Sequence, residues 1–214
     1  MQLDPAMIIF AFLAIFVLWK LRSVLGERTG LEGQRDPGPS PIPAPLSPPS
    51  ANDARWTEFA DRGSPVWAGL DDIARAQPDF APRSFLDGAC AAYEMVVQAF
   101  SRGDEAALHS LASEEVFNSF KGALEERTRR GETMETTFVG FNSVKLVEAR
   151  VERPNALIAV RFDSQFVTVT RASNGAVIEG DPTQPSNIVD IWTFARRNDA
   201  SGPNWTLVAT TPAQ

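Results

Sequence analysis

The sequence predicts an α+β domain in which N-terminal helices pack on a curved antiparallel sheet, behind one transmembrane helix and a proline-rich linker. Three observations lead there. An unbroken apolar run occupies Ala6–Trp19, apolar residues recur at helical spacing between about 65 and 130, and from Glu135 the apolar period changes from 3.6 to 2. Helices followed by consecutive strands, separated by turn signals at Arg153-Pro154-Asn155, Asn174-Gly175 and Gly202-Pro203-Asn204, describe helices gathered on one face of an antiparallel sheet.

The run AMIIFAFLAIFVLW rises only about 21 Å as a helix, against roughly 30 Å of hydrocarbon. Its flanks close the gap. Met1 and Leu3 extend it on one side and Leu21, Val24 and Leu25 on the other, while Lys20 and Arg22 snorkel and Trp19 suits the headgroup belt. A cleavable signal peptide places positive charge before the apolar run and a small-residue site after it. Here Asp4 precedes the run and Lys20 and Arg22 follow it, so residues 5–25 read as an uncleaved single-pass anchor. Lys20, Arg22 and Arg28 then hold that flank in the cytoplasm, leaving the N-terminus outside and the C-terminal domain cytoplasmic.

Residues 26–55 read as a disordered linker. Prolines at 37, 39, 41, 43, 45, 48 and 49 exclude helix and sheet and favour extended polyproline II, on the order of 40 Å long. A semi-rigid spacer is the simpler reading, and a ligand for an SH3-type domain the sharper one. Residues 56–77 form an amphipathic helical segment, with Ser64 as N-cap, Pro65 at the first helical position, and Val66, Leu70 and Ile73 on one face. Asp71 and Asp72 on its polar face speak against a membrane surface and for docking on the same chain.

The folded domain spans 78–212. Phe85, Leu86, Ala89, Tyr93, Val96, Val97 and Phe100 mark a helix over 83–102 with one buried face, ended by Gly103. Asp104 caps a short second helix containing Leu108 and Leu111. Ser113 caps a third, lined by Val116, Phe117, Phe120 and Leu124, with Glu114 and Glu115 at its positive end. Arg127, Arg129 and Arg130 close its last turn, either as ordinary cations at a helix C-terminus or as a docking patch. Strands follow at about 136–149, 156–170, 187–197 and 204–210, with Asn174-Gly175 leading to a short strand at 176–179.

Charge and composition exclude several classes. Residues 1–50 hold four acidic and four basic side chains, so the net charge of −7 belongs entirely to the remainder. An acidic body without a Lys/Arg tract is a poor nucleic-acid ligand, and anionic lipid repels it, which leaves the apolar segment as the main membrane attachment. The single cysteine, Cys90, lies in an apolar helical pattern and excludes an intrachain disulfide.

The stretch FLDGACAAYEMVVQAFSRGDEAALHSLASEEVFNSF resembles the opening of the Tim-forty-four-like domain. FVGFNSVKLVEA, Gly180-Asp181-Pro182, DIWTFAR at 190–196 and PNWTLVAT at 203–210 follow in the family's order, so the resemblance covers about 78–212. It implies an NTF2-like (cystatin-like) cone. The mitochondrial relative is the peripheral motor scaffold of the inner-membrane presequence translocase, which recruits the matrix heat-shock chaperone. The bacterial TimA-type relatives are inner-membrane-anchored proteins with an adaptor role. The long basic N-terminal region of the mitochondrial relative is replaced here by the apolar segment and proline spacer, so chaperone recruitment does not transfer with the domain. Membrane, lipid or precursor-chain contacts of the C-terminal domain are what the resemblance implies.

No residue spacing assembles a catalytic set, a metal site or a cofactor loop, and no enzyme activity or cofactor is expected. His109 is the lone histidine, on a polar-flanked helix. Tyr93 is the lone tyrosine, best read as core with its hydroxyl bonded. An isomerase of this architecture would need a carboxylate beside a tyrosine, and Asp190, ahead of Ile191 and Trp192, is the one carboxylate to check, since a strand-borne acid can point into the cone. Phe85, Tyr93, Val97, Phe100, Phe117, Phe120, Phe162 and Trp192 are candidates for an apolar pocket accepting lipid or peptide, or equally for a filled core. The expected function is a bacterial inner-membrane adaptor whose domain binds a protein partner in translocation, assembly or quality control. A lipid- or hydrophobic-ligand-binding domain is the alternative, and an isomerase-type enzyme a distant third.

Overall fold

The computed structural model describes residues 55–200, 202 and 204–213, so the expected anchor at 5–25 with Trp19, Lys20 and Arg22, and all but the last residue of the expected linker, lie outside the described residues. Four helices come first: α1 Pro65–Ala76, α2 Pro82–Arg102, α3 Glu105–Leu111 and α4 Glu114–Arg129. Five strands follow: β1 Thr133–Glu152, β2 Asn155–Arg171, β3 Val177–Gly180, β4 Ser186–Arg197 and β5 Thr206–Pro212. No helix among the described residues is long and apolar enough to cross a membrane.

The helix starts follow from local chemistry. The Ser64, Asp104 and Ser113 side chains accept from the backbone N–H groups of Trp67, Ala107 and Val116, and Pro65 and Pro82 occupy first-turn positions where a missing N–H costs nothing. α2 ends at Gly103, whose φ of 71° is the left-handed conformation that closes a helix. Gly69 meets a different demand: a Cβ there would stand 1.8 Å from the carbonyl oxygen of Ala149, so only glycine lets α1 settle against β1. With Leu70 and Ile73 fully buried, α1 belongs to the same core as the rest of the domain.

The sheet order is β1-β2-β4-β5, all antiparallel, with β3 also on β2. β2 is central. Phe162 faces Val144 on one side and Asp190 on the other, and β3 takes over from β4 along β2 at Val169. Three register shifts interrupt β1, each a point where an edge strand bends. The row Ala156, Ile158, Val160, Phe162, Ser164 and Phe166 is buried toward the helices, whereas Arg161, Asp163 and Gln165 on the other face are half-buried. β1 runs longer than its apolar pattern because β2 supplies pairing partners along it from Thr133 to Glu152, across the three register shifts. β5 starts at Thr206, later than expected, since Trp205 turns inward onto Phe80 and Phe85.

Candidate functional site

The interior between α2 and the sheet is an aromatic layer built around one polar cluster. Tyr93 projects from the buried face of α2. Its ring stacks on Phe162 of β2 at 4.5 Å and lies 4.4 Å from Trp192 of β4, 5.6 Å from Phe141 of β1 and 6.0 Å from Phe166 of β2. At the end of that ring the hydroxyl donates to Asp190 Oδ2 at 2.9 Å and shares a 2.9 Å hydrogen bond with Ser164 Oγ. Ser164 reaches the carbonyl of Ile188 as well. One side chain thus ties α2 to both central strands.

This placement changes how both titratable groups behave. Burial pushes the Asp190 carboxyl up to about 6, and the hydrogen bond from Tyr93 only partly opposes it. Burial, followed by the nearby Asp190 charge, pushes the Tyr93 hydroxyl well above the ordinary tyrosine range, so Tyr93 remains a donor at every physiological pH. A carboxyl near neutrality beside a permanently protonated phenol is the pairing that acid–base chemistry on a buried substrate would use. Among the surface depressions of the described residues, one is lined by Asp72, Arg75, Ala76, Val151, Arg153 and Asn198, and another by Gly103, Glu105, Leu124, Glu125, Arg127, Thr128 and Arg129. Neither contains Tyr93 or Asp190.

The eight candidate pocket residues fall into neighbouring groups. Tyr93, Phe162 and Trp192 form the centre. Phe85 sits toward one end against Phe80, Phe194 and Trp205. Phe100 and Phe120 meet at 5.7 Å between α2 and α4, and Phe117 carries the His109 ring edge-on at 4.8 Å. Val97, Phe100 and Phe117 are half-buried, as are Phe138 and Phe141 of β1, whose rings lie 4.8 Å apart. His109 is exposed and hydrogen-bonded to Glu114 at 2.7 Å.

Sequence reasoning singled out Tyr93 and Asp190 but had no means of joining residues 97 positions apart. It passed over Ser164. The available signal was its parity: Ser164 continues the apolar row of Phe162 and Phe166, and a polar residue on a buried row needs a partner. A second polar cluster was also missed. Arg196, almost fully buried, donates to Asp79 at 3.0 Å, and buried Gln77 donates to Asn198 at 3.1 Å. The Arg196 bond holds the Asp79 carboxyl below the ordinary carboxylate range.

The three arginines of α4 separate by role. Arg127 donates to the carbonyls of Phe100 and Ser101 at 3.0 Å each and lies 5.3 Å over the Phe100 ring, so it caps α2 rather than its own helix. Arg129 pairs with Glu126, and Arg130 reaches Glu126 and Glu132 at 3.4 and 3.6 Å.

Helices seated on one face of an antiparallel sheet, with an aromatic layer around a buried carboxyl, define an α+β domain of the helix-on-sheet class. The family model for the Tim44-like domain matches residues 66–212, from the first turn of α1 to the end of β5, and the chain belongs to that family. Among its relatives, the probable mitochondrial import inner membrane translocase subunit tin-44 of Caenorhabditis elegans is 24% identical over 109 residues, 50% of this chain and 26% of the relative. The mitochondrial import inner membrane translocase subunit TIM44 of Homo sapiens is 23% identical over 136 residues, 63% of this chain and 30% of the relative. The chain therefore spans less than a third of the length of these relatives. The intermembrane space region of the chloroplast protein ARC6 is a similar solved structure, with a TM-score of 0.44 and 10% identity over 63% of this chain and 98% of that one.

Proposed function

We propose that the chain is a membrane-anchored adaptor whose Tim44-like domain binds protein partners in the translocation, assembly or quality control of membrane proteins. The observation that supports this most is the family match over 66–212, whose relatives are named as subunits of an inner-membrane translocase. The apolar segment Ala6–Trp19 fits the same reading, since anchoring raises the effective concentration of the domain near membrane partners. On this reading residues 5–25 span an inner membrane and the domain lies on the side of Lys20 and Arg22. An NTF2-like cone is the form in which the domain presents its surfaces. The domain works by binding, without catalysis.

The test is crosslinking in intact cells, mild detergent extraction and identification of the partners. A complex containing a translocation or insertion component is expected; a chain that migrates alone sinks the reading.

A lipid- or hydrophobic-ligand-binding role is the second reading, favoured by the half-buried rings of Phe100, Phe117, Phe138 and Phe141 around the interior. Native mass spectrometry of the full chain released from membranes checks it. Co-purifying acyl lipid held by the folded domain supports the second reading, and its absence removes it.

A further inference from the structure

Asp190 occupies a place that fold stability alone does not explain. Its carboxyl is held between β2 and β4 beneath α2, and its neighbours there are rings: Tyr93 from α2, Phe162 from β2 and Trp192 from its own strand. β5 faces it with Pro212 and β1 contributes Phe141 beside Tyr93. Ser164 is the polar neighbour on β2 and Tyr93 the one titratable partner on α2; besides burial, the Tyr93 hydroxyl is what acts on this carboxyl. A neutral carboxyl carries no charge to solvate there, and it accepts the hydrogen bond that the Tyr93 hydroxyl donates to Oδ2. An ionised one has room for several donors and receives one from Tyr93. The remaining donors must be water. Phe138 and Phe141 are half-buried while Phe162 and Phe166 are buried, so water reaches the cluster most directly between β1 and α2.

We infer that Asp190 makes the seating of α2 on the sheet proton-dependent: its protonated form closes the aromatic layer, and its ionised form admits water past Phe138 and Phe141 and loosens α2. The device is independent of which partner the domain binds, so its failure leaves the adaptor reading untouched.

The size of the effect follows from linkage. A carboxyl titrating near 6 when closed and near 3.8 when hydrated shifts the opening equilibrium about tenfold between about pH 5 and about pH 7.5. Hydrogen–deuterium exchange on the full chain in detergent micelles, corrected for the intrinsic rate, reads this directly. Protection of α2 amides between Ala89 and Val97 should fall about tenfold over that range, at low urea concentrations that leave the rate unchanged, which marks local opening. Asp190→Asn should abolish the step and keep the protection seen in acid. Tyr93→Phe, which removes the donor to the anion, should enlarge the step. A flat wild-type profile, an unchanged step in Asp190→Asn or Tyr93→Phe, or exchange that rises with urea in line with global unfolding overturns the inference. Should Asp190→Asn fail to fold, the wild-type profile and Tyr93→Phe decide.

Discussion

The buried carboxyl of Asp190 gives the domain a pH dependence between acid and neutral pH. Its pKa is raised in the folded state, to about 6 from a reference value of 3.8. Its favourable contribution is therefore complete below about pH 4 and lost as pH rises through about 6, which costs about 3 kcal/mol at neutral pH. Unfolding by urea should show stability falling between about pH 4 and pH 7 in the wild type. In Asp190→Asn that part of the slope should vanish, with a gain on the order of 2 kcal/mol at pH 7.5. A loss of stability at pH 7.5 would show that the charge is compensated. Gly69 belongs to the same scale. Gly69→Ala places a methyl group inside the Ala149 carbonyl contact and should lower stability by about 2–3 kcal/mol, measured as a shift in the urea midpoint. Gly88→Ala, with open space around its Cβ, should be neutral or slightly stabilising. Of these residues, the chemical character of Tyr93 and Asp190 was legible in the sequence. Their contact was not, because it depends on where β4 lands beside β2.

The half-buried Arg127 of α4 shows how an element is completed by its neighbours. Arg127 sits at the C-terminal end of α4, where sequence reasoning assigns it to its own helix. Its guanidinium instead satisfies the orphan carbonyls of α2. Arg127→Ala should cost about 2 kcal/mol in chemical denaturation, since it strips charged donors from half-buried carbonyls. Arg129→Ala and Arg130→Ala, which break exposed ion pairs, should change stability by less than about 0.5 kcal/mol. Equal losses at all three positions would contradict this division. Helix starts were readable from single residues because a cap is a local hydrogen bond: Ser64, Asp104 and Ser113 each act within three positions. Strand limits were less readable. β1 extends to Thr133 and Glu152 because β2 supplies partners, and β5 begins late because Trp205 joins the aromatic cluster. Register and long-range contacts, which no window of sequence contains, decide such ends.

On the proposed reading of the whole molecule, membrane attachment and partner binding belong to different parts of the chain. The acidic folded body has little electrostatic attraction to anionic lipid, so removal of residues 1–25 should transfer the protein to the soluble fraction on cell fractionation. Retention of the shortened chain on membranes would assign attachment to the domain or its partner.

The sequence by itself determined the class of the domain, its helices and their caps, the succession of strands along the chain and its family resemblance. All of these rest on periodicity, turn chemistry or short motifs that a linear chain displays. Tertiary structure alone decided that α1 docks through Gly69 on Ala149 of β1, that Arg127 caps α2, and that Tyr93, Ser164 and Asp190 meet inside the aromatic layer. The reason is physical: each of these depends on a register or close approach between elements distant in sequence. Their consequences, an exclusion of side chains at Gly69 and a carboxyl titrating near neutrality, arise only once water has been removed from between those elements.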